Sequence, residues 1–336
     1  MKFKEAQFYR QLADKKVHCT LCPHSCFIEN GERGKCKARQ NINGKLKSLN
    51  YAKLYVASCF AIEQNSLYHV LPGRESLNIS ALGNNLGCNF NPNNAFNLNN
   101  VNEYDENIPT LNQTPAQVIK QAERTKSEII SYIGEPVTYY EYLYDIASKG
   151  REVKHFIFTN GFMNEDSIVK ISKFINGGVF EIKSMDENFY EKFCDAKLEP
   201  ILKAIKTANE HGLWIELKIT ILPYAINNLY EIRKLVSWIL NNLNANIPLH
   251  LIAIQQDDKT KNSPEITLEQ MRKARKIAID AGMNFVYTDN LNWKEGRTTF
   301  CPNCKKPVII RGNNYIENFL KEGKCTCGTK IPGIWE

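Results

Sequence analysis

Residues 213–222 read LWIELKITIL, and residues 227–243 read NNLYEIRKLVSWILNNL. The first run is apolar and partly β-branched, which is typical of a strand buried in a parallel sheet. The second run repeats apolar residues at intervals of three and four, which predicts an amphipathic helix packed on that sheet. Together the two runs predict one βα unit.

The same unit recurs on both sides of this stretch. Helical patterns lie between the other strand-like runs, and their regular alternation predicts a buried parallel sheet. The further strands are predicted at residues 76–82, 128–133, 154–159, 178–183, 248–254 and 284–288. The further helices are predicted at residues 114–126, 138–148, 165–175, 199–212 and 267–282. Six or seven such units favour an α/β fold with a partial barrel, and a doubly wound open sheet is the alternative.

Composition and charge narrow the class of protein. The chain has 336 residues, 43% of them hydrophobic, which is enough to bury a substantial core. Its net charge is +7, but basic and acidic residues are interspersed, which favours a solvated basic surface over a nucleic-acid-binding face. No apolar run is long enough to span a bilayer, and the polar N-terminus lacks a secretory signal. The expected location is therefore the cytoplasm.

Three regions are predicted along the chain. Residues 1–75 form a segment with four clustered cysteines and a β-rich stretch, residues 76–290 form the partial barrel, and residues 291–336 form a second cysteine-containing segment. Residues 89–102, NFNPNNAFNLNNVN, interrupt the βα rhythm directly after the first barrel strand. Loops at this end of parallel strands build active sites, so the stretch lies at a functionally important position.

Eight of the 11 cysteines form two tight groups. Such spacing, in a chain without an export signal, indicates metal ligands rather than disulfides. The N-terminal group is Cys19, Cys22, Cys26 and Cys36, which can surround a zinc ion or an iron–sulfur cluster. Both groups are interpreted as closed structural sites, because four thiolates leave no open position for a substrate.

The C-terminal group consists of two short knuckles on either side of the β-rich run PVIIRGNN. Its members are Cys301, Cys304, Cys325 and Cys327. Two such knuckles predict a zinc-ribbon-like segment, although the second has one residue between its thiols instead of the usual two. Cys59, Cys88 and Cys194 stand outside both groups, and Cys194 is interpreted as a thiol packed in a helix.

Several motifs in order give the chain a family resemblance. They are CTLCPHSC (19–26), GERGKC (31–36), LYHVLPGR (67–74), GCNF (87–90), GEPVTYYEY (134–142), FTNGF (158–162), EIKSMDENFYEKFC (181–194), EGRTTFCPNC (295–304) and CGTKIPGIW (327–335). With them the chain resembles the radical-SAM protein of the AmmeMemoRadiSam system, a relative of glycyl-radical-enzyme activating proteins. The resemblance implies a partial (β/α)6-type barrel that binds a [4Fe–4S] cluster and S-adenosylmethionine (SAM).

The cluster motif itself is degenerate. The resemblance implies three cysteines in this loop, but only Cys88 is kept, and Pro92 and Ala95 occupy the other two positions. Neither side chain can ligate iron, so a [4Fe–4S] cluster at this site is not expected. Other departures are Ala253–Gln256 where the family has Arg and a His-Pro pair, Glu181 in place of Asp, and Pro223-Tyr224 in place of Pro-Gly.

Part of the family's binding pocket persists. By resemblance, Gly134 and Glu135 belong to the motif that meets the SAM amino group, and Asn160 and Lys183 line the pocket. With Cys88, these are the candidate cofactor-binding residues; no residue is assigned a catalytic role. SAM or another small ligand can therefore still bind, although Gly134 can equally shape a turn and Lys183 can be a solvated charge.

Three functions follow from these residues. The first is a pseudoenzyme, kept as a metal-binding scaffold or ligand-binding protein. The second is an active radical-SAM enzyme whose cluster is held by the N-terminal cysteines. The third is a nucleic-acid-binding protein that uses the C-terminal ribbon, the least favoured of the three. The resemblance also implies Memo-like and AMMECR-like proteins as partners.

Overall fold

The structure is a computed structural model that describes residues 3–88, 108–221, 229–253, 266–313 and 315–336. The chain divides into two compact units. The first unit comprises residues 1–60, 75–178 and 187–213, and the second comprises residues 61–74, 179–186 and 214–336. Each unit contains its own parallel strands and one of the two cysteine groups.

The N-terminal part of the first unit is built from short antiparallel sheets. Two three-stranded sheets have the orders β1-β6-β5 and β2-β3-β4, and β7 pairs with β10. The strands are β1 (Lys4–Glu5), β2 (Tyr9–Gln11), β3 (Val17–Cys19), β4 (Phe27–Ile28), β5 (Arg39–Ile42), β6 (Lys45–Ser48), β7 (Lys53–Leu54) and β10 (Leu111–Asn112).

The main strands of the first unit have the order β8-β9-β11-β12. They are β8 (Val56–Ala61), β9 (Glu75–Ser80), β11 (Ile129–Tyr132) and β12 (Lys154–Thr159). β11 pairs in parallel with β9 on one side and with β12 on the other. Their buried side chains match the near-continuous apolar runs that parallel strands require.

Helices follow the strands of the first unit in sequence. They are α1 (Pro115–Arg124), α2 (Tyr140–Lys149), α3 (Glu165–Ile171), α4 (Glu187–Cys194) and α5 (Leu198–Glu210). α1 begins at a capping box, in which the Thr114 side chain accepts from the Gln117 backbone and the Gln117 side chain accepts from Thr114. This reciprocal pair satisfies amide groups that the first helical turn leaves without intrahelical partners.

The second unit repeats the parallel arrangement with the order β13-β14-β15-β16. The elements are β13 (Gly177–Ile182), β14 (Trp214–Ile221), α6 (Tyr230–Asn242), β15 (Leu249–Ala253), α7 (Leu268–Asp280) and β16 (Val286–Asp289). Lys218 is paired with His250 in the register of β14 and β15. Because side chains alternate along a strand, Glu216, Lys218, Thr220 and His250 share one polar face, and Leu217 and Ile219 share the other.

The C-terminal segment forms a small antiparallel sheet in the second unit. Its strands are β17 (Thr299–Phe300), β18 (Pro307–Arg311) and β19 (Ile316–Asn318). A buried hydrophobic cluster joins this sheet to β16 and to the segment before β9, and its members are Tyr68, Phe285, Tyr287, Cys301, Val308, Cys325 and Ile331. The C-terminal cysteines are therefore part of a hydrophobic core as well as a ligand group.

The predicted fold class is confirmed at the level of an α/β protein with parallel strands. Each strand and helix predicted from periodicity corresponds to an element within the described residues. The Asn-rich stretch 89–102, with Pro92 and Ala95, lies outside the described residues, as do Pro223, Tyr224 and Ile254–Gln256. Ala253 is the last residue of β15, and its carbonyl accepts a hydrogen bond from Asn290.

Candidate metal centres and strand-end site

The four C-terminal thiols converge on one point. Cys301 follows β17, Cys304 lies in the turn before β18, and Cys325 and Cys327 lie in the turn after β19. The Sγ–Sγ distance is 3.6 Å for Cys301 and Cys327 and 3.6 Å for Cys304 and Cys325, and all four sulfurs lie within 4.8 Å of one another. The short second knuckle therefore does not prevent Cys325 and Cys327 from joining the group.

This spacing fits one tetrahedral metal ion. Zinc–sulfur bonds of about 2.3 Å in a tetrahedron place the sulfurs about 3.8 Å apart. A hydrogen bond from Thr329 lowers the pKa of Cys327 to about 6. A backbone hydrogen bond from Lys306 lowers the pKa of Cys304, but its bonds with the neighbouring sulfurs outweigh it and raise that pKa to about 11, so the sulfurs share protons that metal binding would displace. The donor set fits a bound metal ion, and four sulfurs complete its tetrahedral coordination.

The N-terminal thiols share a cavity but have a different geometry. Cys19, Cys22, Cys26 and Cys36 line a space of about 10 Å³, together with the side chain of Arg39. Such a volume holds about one water molecule. Among the described residues, no set of three or more His, Cys, Asp or Glu ligand atoms converges as closely as the C-terminal group. The N-terminal sulfurs are thus neighbours without the spacing of a single-ion site.

A buried ion pair borders this cavity. Arg39 is 1% exposed and Glu141 is fully buried, and their side chains form a salt bridge of 2.5 Å. Arg39 also donates to the backbone carbonyl of Gln7 and lies 3.8 Å from the sulfur of Cys19. The guanidinium group therefore lies beside one thiol of the N-terminal group.

Cys88 and Cys194 form a disulfide in the structure. Cys88 lies after β9 and Cys194 is the last residue of α4, and both are buried. Cys194, interpreted from the sequence as a thiol packed in a helix, is instead bonded through its sulfur to Cys88. The pairing joins positions 106 residues apart, which cysteine spacing cannot reveal.

Glu135 is a buried carboxylate at the end of β11. It is 3% exposed, and it accepts hydrogen bonds from the Val137 amide (3.2 Å), the Thr159 hydroxyl (2.8 Å) and the Asn160 amide (2.9 Å). Gly134 has a φ of 77°, a conformation that favours glycine and brings the carboxylate to this turn. The Glu135 carboxylate, which the resemblance predicts to contact the SAM amino group, is therefore hydrogen-bonded to the turn after β12.

Asn160 continues this network. Its side chain donates to Asn85 at 2.9 Å and accepts from the Phe162 amide at 2.8 Å. Asn85 in turn donates to the Phe162 carbonyl, and its own carbonyl lies 2.6 Å from a ring nitrogen of His24. Glu135, Asn160 and Asn85 therefore form one connected strand-end network in the first unit.

Lys183 lies in the second unit, where it pairs with Glu181. The Lys183–Glu181 distance is 2.7 Å, and Lys218 approaches the same carboxylate to 3.7 Å. Burial raises the pKa of Glu181, but the two lysines outweigh burial and hold it at about 2. Two cations thus share one carboxylate.

A buried polar network in the second unit was not predicted from the sequence. The Glu216 carboxylate accepts from the His69 amide at 2.8 Å and contacts His250 at 2.7 Å, and His250 lies 3.3 Å from Asp289. Burial lowers the pKa of His250, but its bonds to Asp289 and Glu216 outweigh burial and raise it. The sequence offered two signs of this network: Glu216 is an acid inside the apolar run 213–222, and His250 lies inside the apolar run 248–254.

No helix of the described residues is long and apolar enough to cross a membrane. The fold and the site define an α/β protein with parallel strands and a four-thiol group suited to a metal ion. Over 335 residues the chain is 34% identical to the uncharacterized protein MJ0808 of Methanocaldococcus jannaschii, covering 98% of each chain. The chain belongs to the family of that protein. No protein-family model matches it.

Three of the solved structures that are similar to part of the chain have the following TM-scores, identities and coverages. A domain of the pyruvate-formate lyase-activating enzyme from Bacteroides vulgatus ATCC 8482 has a TM-score of 0.39 and 16% identity, covering 48% of this chain and 98% of that chain. SuiB of Streptococcus suis, bound to S-adenosylmethionine, has a TM-score of 0.46 and 15% identity, covering 61% and 48%. TYW1 with a lysine-pyruvate adduct has a TM-score of 0.44 and 15% identity, covering 66% and 78%.

Proposed function

We propose that this protein is a radical-SAM-type partial barrel that no longer cleaves SAM and acts as a metal-stabilised scaffold or ligand-binding protein. The observation that carries this proposal is the pairing of Cys88, the one cysteine left in the degenerate motif, with Cys194. A sulfur engaged in a disulfide does not ligate iron. Pro92 and Ala95 offer no thiolate in its place.

The engagement of Glu135 supports the same conclusion. The Thr159 hydroxyl and the backbone amides of Val137 and Asn160 donate hydrogen bonds to its carboxylate. These bonds stabilise the turn around Asn160, so the carboxylate has a structural role that does not depend on SAM. A protein that has lost its radical chemistry retains this role, which explains how the motif can persist in it.

Zinc is the metal we propose for the C-terminal cysteines. Four thiolates at tetrahedral spacing form a closed site, which is typical of structural zinc and leaves no position for a substrate. The predicted ribbon is consistent with this role, because two of its cysteines lie within the hydrophobic cluster around Tyr68 and Phe285. The metal would supply folding free energy to this part of the second unit.

Metal analysis tests the proposal. The full chain is purified without oxygen, offered iron and sulfide, and analysed for zinc, iron and acid-labile sulfide per chain, followed by an assay for 5′-deoxyadenosine from SAM. We expect at least one zinc ion, held by the C-terminal thiols, with negligible iron and no deoxyadenosine. About four iron with matching sulfide, together with SAM cleavage, would contradict it.

One observation favours a second candidate, an enzyme whose cluster is held by the N-terminal cysteines. The four thiols line one cavity, and four cysteines are the usual ligand set of an iron–sulfur cluster. In that case Cys22→Ser should abolish both iron binding and SAM cleavage. Cys304→Ser, which alters the other group, should leave both intact and serves as the matched control.

A further inference from the structure

A pocket of about 380 Å³ lies in the second unit beside the C-terminal sheet. One wall comes from the segment after β16, with Trp293, Lys294 and Arg297, and the other from the turn that joins β18 and β19, with Arg311 and Tyr315. We call this space the ribbon pocket. Its volume falls within the range of about 300–1,000 Å³ that is usual for small-molecule sites.

The lining of the ribbon pocket is strongly basic. Lys294, Arg297 and Arg311 contribute three positive charges, and none of its lining residues within the described ranges is acidic. Arg311 forms a buried ion pair with Glu63, whose oxygen is 3.8 Å from the Nε atom, beyond hydrogen-bond distance. Within the described residues, neither Lys294 nor Arg297 forms an ion pair with a carboxylate, which favours an anionic ligand beside these two side chains.

Two guanidinium groups of this lining have buried donors without partners. The Nε atoms of Arg297 and Arg311 are both buried and make no hydrogen bond. Buried polar atoms of this kind are rare, and an absent ligand is one physical reason for them. The remaining nitrogens of Arg311 are engaged, because Nη1 donates to the Thr299 hydroxyl and Nη2 to the Tyr68 carbonyl. Arg311 is thereby fixed, whereas Lys294 is exposed and can adapt to a ligand.

We propose that the ribbon pocket binds a small phosphate ester, with the phosphate held by Lys294 and Arg297. A phosphate dianion suits guanidinium and ammonium donors better than a neutral ligand does. The volume accommodates an organic group besides the phosphate, and Trp293 and Asn313 belong to the lining. This inference does not depend on the fate of the radical chemistry.

Calorimetric titration of the full chain tests this site. The probes are AMP, ribose 5-phosphate, adenosine, and a ten-nucleotide strand with or without its 5′-phosphate. We expect both phosphate esters to bind and adenosine to bind at least about tenfold more weakly than AMP. A strand that binds only with its 5′-phosphate also supports the site and identifies a strand end as the source. Equal binding of AMP and adenosine, or of both strands, or no binding of any ester at millimolar concentration, overturns the proposal.

Variants distinguish this pocket from general surface charge. We expect Lys294→Gln and Arg297→Gln each to weaken the binding of AMP about tenfold. Lys321→Gln removes an equally exposed charge of the same unit outside the pocket and should leave binding unchanged. If Arg297→Gln does not fold, Lys294→Gln still tests the phosphate site, because Lys294 is exposed. Equal weakening by Lys294→Gln and Lys321→Gln overturns the assignment.

Discussion

Histidine 155 shows how burial fixes the charge of a single residue. Its Nε2 lies 2.8 Å from the Gly150 carbonyl, and its Nδ1 lies 2.9 Å from the Tyr132 hydroxyl. A carbonyl only accepts, so Nε2 carries the proton and Nδ1 accepts from the tyrosine. Burial lowers the pKa of His155 to about 4, and the ring is neutral in the folded protein near neutral pH.

This neutral histidine predicts acid sensitivity. The folded pKa of about 4 lies below the unfolded value of about 6.5, so the unfolded chain binds more protons between these pH values. The contribution of His155 is complete above pH ~6.5 and is lost as the pH falls through ~4, amounting to about 3 kcal/mol. Denaturant unfolding at several pH values should show a shallower acid loss for His155→Gln. The control is His211→Gln, which alters an exposed histidine; equal pH dependence in both variants would contradict the prediction.

The Arg39–Glu141 pair predicts a large effect from one substitution. Glu141→Gln removes the charge that compensates a buried guanidinium, and we expect the free energy of unfolding to fall by about 3 kcal/mol. The control is Glu29→Gln, which breaks the surface pair with Lys16 and should lower the free energy of unfolding far less, because both side chains remain in water. Both values come from denaturant titration. Similar small losses in both variants would contradict the prediction.

Whole strands and helices were largely predictable from the sequence. A buried parallel strand and an amphipathic helix each carry their own periodicity, which is why α6 and β14 could be read from residues 213–243. The short strands of the N-terminal part were not predicted individually. β1 to β4 contain two or three residues each, too few for a period to be visible, and they exist because of their partners.

The contacts between elements were less predictable. The C-terminal cysteine group could be identified because its ligands come from two local turns, each with its own spacing. The Cys88–Cys194 pair and the Glu216–His250–Asp289 network join elements far apart in the chain. Such pairings depend on strand order and register, and a single sequence specifies neither directly.

The disulfide between α4 and the segment after β9 predicts a redox-dependent stability. Cys194→Ser should lower the free energy of unfolding of the oxidised protein by about 3 kcal/mol, because the cross-link restricts the unfolded chain. Thermal unfolding with and without a phosphine reductant measures this effect. Reduction should largely remove the difference between the two proteins. Cys59→Ser, outside every pair and group, is the control; an equal loss in that variant would contradict the prediction.

At the scale of the molecule, each unit has its own four-cysteine group, and the C-terminal group belongs to the core of its unit. Cys301 and Cys325 lie in one hydrophobic cluster with Tyr68, Phe285 and Tyr287. Metal binding at these thiols is therefore coupled to the packing of the strand β16 and of the segment around Tyr68. Binding free energy at such a site is part of the folding free energy.

Removal of the metal should therefore lower the stability of the whole chain. We expect a chelator to reduce the midpoint of thermal unfolding by at least about 5 °C, since each kcal/mol corresponds to a few degrees for a chain of this size. Cys325→Ser should contain about one zinc ion fewer per chain, melt lower without chelator, and respond less when chelator is added. Any decrease in the unfolding midpoint that chelator still causes in this variant comes from the N-terminal group alone. If chelator lowers the midpoint equally in the wild type and in Cys325→Ser, the C-terminal thiols hold no stabilising metal.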